Sequence, residues 1–133
     1  MVRIFLVMHA PLGNAFSQCA EHVLGHAPAL TVVDVLPSDE PARKAEEVAD
    51  LIASRPDEPV LILCDIYGAT PFNIASQALR AATQRGGRGH LVTGTNLCMV
   101  LKALTEHQEN PDKLTEKVRL GALKGIIDAD HQC

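Results

Sequence analysis

Short runs of consecutive apolar residues alternate along this chain with longer stretches in which apolar positions recur every third or fourth residue. The short runs, Val2–Met8, Leu30–Val35, Val60–Cys64 and about His90–Thr93, read as strands. The first is almost continuously apolar, the pattern of a strand covered on both faces. The longer stretches read as helices. In the first, about Asn14–Leu24, Ala15, Phe16, Cys19, Ala20, Val23 and Leu24 share helical spacing, and Gly25 follows as a stop. The second, about Pro41–Ser54, carries a stripe of Ala45, Val48, Ala49 and Ile52, with Ser38 or Asp39 as its cap. The third has Thr70 at the N-cap, Pro71 at the first helical position, and Ile74, Ala75, Ala78, Leu79 and Ala82 on one face. A fourth begins near Asn96 and carries Leu97, Val100, Leu101 and Leu104. A fifth opens on Asn110-Pro111.

The order is β-α-β-α-β-α-β-α-α, with Ile126-Ile127 as a further β-prone piece. That alternation predicts an α/β fold, an open and mainly parallel sheet with helices on both faces. A strand order of 2-1-3-4 is compatible with the pattern and follows fold-level precedent; periodicity alone does not show it. In such sheets ligands bind beyond the carboxyl ends of the strands, where strand order reverses. At 133 residues the chain fits a single domain, 1–133.

Composition narrows the function classes. A net charge of −4 and an aromatic content of 3% argue against a nucleic-acid binder, which needs a basic face and stacking platforms. The apolar runs are far shorter than the ~20 residues of a membrane span, and no signal-peptide pattern follows the first strand. A cytoplasmic protein with no membrane insertion is expected. Cys19, Cys64 and Cys98 read as reduced core or near-core residues and Cys133 as a tail thiol.

With strands 1 and 3 adjacent, the residues just past them, His9 and Asp65, face each other across the crevice. Taken singly, each has an ordinary structural explanation; together they suggest chemistry. A carboxylate that accepts a hydrogen bond from one imidazole N–H fixes the tautomer and leaves the other ring nitrogen a free lone pair. The loops nearby suit an anion: Gly68-Ala69-Thr70 leads into the third helix, and Gly94-Thr95-Asn96 into the fourth.

The same residues carry a family resemblance. The opening Ile4-Phe5-Leu6-Val7-Met8-His9-Ala10, the block Asp65-Ile66-Tyr67-Gly68-Ala69-Thr70-Pro71-Phe72-Asn73 and the block Gly94-Thr95-Asn96-Leu97-Cys98-Met99-Val100-Leu101-Lys102-Ala103-Leu104 resemble, in order and spacing, the EIIA component of the mannose-family phosphotransferase system (PTS). The similarity covers nearly the whole chain. It implies that His9 accepts phosphate from the phosphocarrier protein HPr and passes it to an EIIB domain for carbohydrate uptake, with Asp65 hydrogen-bonded to the histidine. Gly68, Ala69 and Thr70 then line the phosphate site, and neither a metal nor a cofactor is required. It also implies sheet order 2-1-3-4, an added antiparallel C-terminal strand and a homodimer in which that strand is exchanged. Ala10 and Ala69 replace glycines usual in the family, which is tolerable if φ is negative there. The β-poor C-terminal segment weighs against strand exchange through Ile126-Ile127.

Other readings explain less. A nucleotide enzyme lacks its glycine-rich fingerprint here. A receiver domain would want acids where Met8-His9 stands. His22 and His26 have a metal-compatible spacing but no third ligand. The phosphoryl-donor subunit of dihydroxyacetone kinase fits the middle block less well. A freestanding regulatory phosphoswitch, binding a partner protein without sugar transport, would use the same His9.

Overall fold

The computed structural model describes residues 1–131. The elements run β1 (Arg3–His9), α1 (Leu12–Leu24), β2 (Leu30–Val35), α2 (Pro41–Ala53), β3 (Val60–Cys64), α3 (Thr70–Gln84), β4 (Gly89–Val92), α4 (Leu97–Thr105) and α5 (Pro111–Lys124), followed by a 3-10 turn at Ala129–His131. The four strands form one sheet in the order β2-β1-β3-β4, every pairing parallel. This is the expected α/β open sheet.

Side chains alternate across β1 and β3, so the sheet has two cores. Phe5, Val7, Val60, Ile62 and Cys64 pack on Val48, Ala49 and Ile52 of α2 and on Ile74, Ala75 and Ala78 of α3. Ile4, Leu6, Met8, Leu61 and Leu63 pack on Ala20 of α1, on Met99, Val100 and Ala103 of α4, and on Leu114 and Val118 of α5. Burial on both faces explains the unbroken apolar runs. Arg3 closes the amino end of the sheet: its guanidinium donates to the carbonyls of Leu51 (2.9 Å), Ile52 (2.7 Å), Arg55 (3.3 Å) and Glu58 (3.3 Å), filling acceptors at and just beyond the end of α2.

Several local expectations need correction. Thr70 is the first residue of α3, and Ala69 holds the N-cap with no side-chain bond. Glu40, rather than Ser38 or Asp39, caps α2 by accepting from Ala42 N–H at 3.1 Å. Asp39 instead accepts from Leu36 N–H at 2.8 Å within the preceding turn. α1 starts two residues earlier than its apolar stripe suggests, and only Gly13 and Ala20 are buried on it, with Ala15, Cys19 and Val23 exposed. Its inner surface is narrow because Gly13 lies directly against β2. Cys19 and Cys98 are exposed, not core residues; Cys64 alone of the described cysteines is buried. Cys133 lies outside the described residues. Ile126 and Ile127 form no strand and are exposed. Asn110 caps α5 as expected, and Asn96, where the fourth helix is expected to begin, caps α4.

Candidate functional site

β1 pairs with β2 on one side and β3 on the other, so the crossovers leave it in opposite directions and the crevice opens between β1 and β3. His9 ends β1, and Asp65 follows the last residue of β3. Val7 and Cys64 are register partners, so Asp65 lies level with Met8, one position before His9 at the same carboxyl edge.

Their contact is direct. His9 Nδ1 lies 2.7 Å from Asp65 Oδ2, and the same oxygen accepts the backbone N–H of His9 at 3.1 Å. Asp65 Oδ1 accepts the N–H of Ile66 at 3.0 Å. The side chain of Asp65 is 7% exposed and that of His9 is 48% exposed. The carboxylate is thus sunk behind a ring that reaches solvent. Burial pushes the Asp65 pKa up, but hydrogen bonds from the His9 ring and backbone outweigh it and hold the group below its ordinary value. An ionised carboxylate only accepts, so the Nδ1–H tautomer is selected and Nε2 keeps its lone pair.

The neighbouring thiol does not compete. Burial, and next the charge of Asp65, push Cys64 up to about 12, so it stays protonated and unreactive. The carbonyl of Cys64 accepts from Thr95 Oγ1 at 2.6 Å and Thr95 N–H at 3.3 Å. The β4–α4 loop thereby fixes the main chain beside Asp65. That proton is spent on structure, so the Thr95 hydroxyl does not offer it to an anion.

Four helices follow strands and so begin at this edge. Asp34 of β2 accepts from the first turn of α1, Glu40 caps α2, and Asn96 caps α4 by accepting from Met99 N–H at 3.0 Å. Only α3, among the described residues, has no side-chain cap. Its first-turn N–H groups, those of Thr70 and Phe72, remain available, Pro71 having none. Gly68 reaches that helix through φ +83°, and a Cβ added there would meet nothing within 4 Å, so backbone conformation rather than crowding selects glycine. Ala69 has φ −84°, and among the described residues none other than glycine has positive φ, so the methyls of Ala69 and Ala10 are accommodated. No hydrogen bond joins Gly68, Ala69 or Thr70 to His9 or Asp65.

Two further features escape sequence reasoning. Asp34 is an acid inside an otherwise apolar strand, and that anomaly is its only signal. Tyr67 is 76% exposed, its ring 4.7 Å from that of Phe72; with the exposed Ile66, Leu12 and Leu36 it gives the carboxyl edge an apolar rim. His22 and His26 lie exposed at the far end of α1. Among the described residues no helix is long and apolar enough to cross a membrane.

Comparison with known proteins identifies the family and agrees with the fold. Residues 3–119 match the EIIA-man family, described as the PTS system fructose IIA component. Among solved structures, a phosphotransferase system component EIIA from Streptococcus agalactiae superposes with a TM-score of 0.88 at 22% identity, covering 99% of this chain and 100% of that one. A mannose/sorbose-specific IIA subunit from Enterococcus faecalis gives 0.83 at 21% identity, over 95% and 92%. A sigma-54 interaction domain protein from Enterococcus faecalis gives 0.76 at 15% identity, over 99% and 97%. At such identities the structural likenesses establish the fold, whereas the family match spans most of the sequence. The chain belongs to the EIIA-man family of phosphotransferase-system IIA components.

Proposed function

We propose that this chain, as one domain over residues 1–133, is a cytoplasmic phosphoryl carrier in which His9 accepts phosphate from phospho-HPr and passes it to an EIIB domain. The observation that carries the reading is the 2.7 Å bond from His9 Nδ1 to a buried carboxylate, which leaves Nε2 as the uncommitted nitrogen of a ring half open to solvent. Nε2 attacks phosphorus in line as the bond from phosphorus to the donor atom of HPr breaks. The phosphoryl group moves, the donor atom keeps the electron pair of the broken bond, and Asp65 balances the charge left on the His9 ring. The open N-terminus of α3, with Gly68, Ala69 and Thr70, steadies the phosphoryl oxygens. The apolar rim of Leu12, Leu36, Ile66 and Tyr67 supplies contact area for the protein donor and acceptor. The group arrives activated, so the transfer calls for neither metal nor cofactor.

The test is phosphorylation by phospho-HPr with the modified residue mapped. Wild type is expected to take up one acid-labile, base-stable phosphate on His9 Nε2, and His9→Ala none. Uptake by His9→Ala would refute the reading. Transfer onward to an EIIB domain separates the carrier from a regulatory phosphoswitch, which would take up phosphate and pass it to no EIIB.

A homodimer is part of the same proposal. β4 is an edge strand, and a groove of about 460 Å³ lined by Leu79, Gly89 and Leu91 runs beside it. Ile126 and Ile127 are exposed and outside any strand, and the test asks whether a partner's copy of that segment covers this edge despite its β-poor sequence. Light scattering is expected to give twice the chain mass, and the double substitution Ile126→Asp, Ile127→Asp to give a monomer. A double variant that remains dimeric would place the interface elsewhere.

A further inference from the structure

Asp34 is level with Met8 in the β1–β2 register, one position before His9 and its partner Val35. Both of its oxygens are committed to the chain that follows His9. Oδ1 accepts from Gly13 N–H at 2.8 Å and Oδ2 from Asn14 N–H at 3.0 Å. These are first-turn donors of α1, which begins only two residues after Ala10. That helix has no cap of its own: Pro11 occupies the N-cap without a side-chain bond, and the first turn holds no acid. Gly13 is buried, and a Cβ there would stand 2.5 Å from Asp34 Oδ1 and 2.9 Å from Val32 Cγ1. Glycine is what allows the helix end to settle on the carboxylate.

We infer that Asp34 is a positioning residue for the phosphoryl-accepting histidine, an inference that rests on the function proposed above. His9 is tied on its upstream side by the sheet. On its downstream side Ala10 N–H donates to Val35 carbonyl at 3.0 Å, and the next tie along the chain is the pair of bonds to Asp34. One oxygen of Asp65 receives both the ring and the backbone N–H of His9, so a small displacement of the His9 main chain lengthens both bonds together. Hydrogen bonds of this kind tolerate only a few tenths of an ångström. Asp34 has a second effect through its charge. It occupies the positive end of α1, so the α3 N-terminus is left as the uncapped anion site at this edge.

The experiment compares Asp34→Ala, Asp34→Asn and Gly13→Ala with Asn110→Ala. Asn110 caps α5 through Asp112 N–H (2.9 Å) and Lys113 N–H (3.3 Å) at the other end of the sheet. Two readouts are taken: the phosphorylation rate by phospho-HPr, and the ¹⁵N resonances of the His9 imidazole at a pH where the ring is neutral. Asp34→Ala and Gly13→Ala are expected to lose roughly tenfold or more in kcat/KM, since misplacement by about 1 Å costs up to ~100-fold. Their Nδ1–H signature should give way to a tautomer mixture. Asp34→Asn keeps one acceptor and is expected to fall between. Asn110→Ala should lower Tm comparably yet move neither readout. If Asp34→Ala fails to fold, Asp34→Asn and Gly13→Ala decide. An unchanged His9 tautomer with a wild-type phosphorylation rate in the folded variants would make Asp34 a helix cap and nothing more. If wild type takes up no phosphate, the function proposed above fails, while the tautomer measurement still decides whether Asp34 positions the ring.

Discussion

Asp65→Ala is expected to slow phosphorylation of His9 on the order of 10²- to 10⁴-fold, the range over which loss of an imidazole's orienting carboxylate acts. Without that carboxylate neither ring nitrogen is preferred for the proton, and the cation formed on attack loses its counter-charge. The His9 backbone N–H loses its acceptor as well. Asp65→Asn should be milder in geometry but still slow, because an amide oxygen accepts the Nδ1–H without stabilising the cation. A rate within threefold of wild type for Asp65→Ala would show that the ring is oriented by something else. The pH dependence has a defined sign. The folded pKa of Asp65 is depressed, so its contribution to stability is complete above the ordinary aspartate value of about 3.9 and is lost as pH falls through the folded value. The stability gap between wild type and Asp65→Ala in urea is therefore expected to be widest near neutrality and to close in acid.

Gly89→Ala is expected to be among the most destabilising single-methyl changes in the molecule. A Cβ at this position would stand 2.5 Å from the Val60 carbonyl oxygen, 2.5 Å from Val60 Cγ2 and 3.2 Å from Leu79 Cδ1. Gly89 is the register partner of Val60, so the obstruction is backbone that already pairs β3 with β4 and cannot rotate away. Overpacking of this kind costs about 1–3 kcal/mol, occasionally more. At the upper end that lowers Tm by roughly 10 °C for a domain of this size. The effect should reach the site, since β4 carries the loop from which Thr95 holds the Cys64 carbonyl. Thermal unfolding measures the first part and the His9 phosphorylation rate the second. A Tm within about 2 °C of wild type would mean that the β3–β4 edge is far more compliant than its register implies.

The local sequence determined much of this protein. The apolar runs that became β1 and β3 read as strands, the first as one buried on both faces, and the Asn110-Pro111 entry and the α2 stripe are equally legible, because capping and periodicity act over a few residues. His9 and Asp65 were identifiable as strand-end residues, and the family resemblance joined them. The tertiary structure decided the rest. The cap of α1 comes from Asp34 on another strand, which is why that helix starts earlier and buries less of its apolar stripe than its own residues suggest. The exposure of Cys19 and Cys98 follows from how α1 and α4 seat on the sheet. Whether a helix N-terminus at the crevice is open to an anion depends on which side chains elsewhere reach it, and among the described residues only α3 was left uncapped there. Local sequence fixes which groups are present, but long-range pairing fixes which of them are already spent.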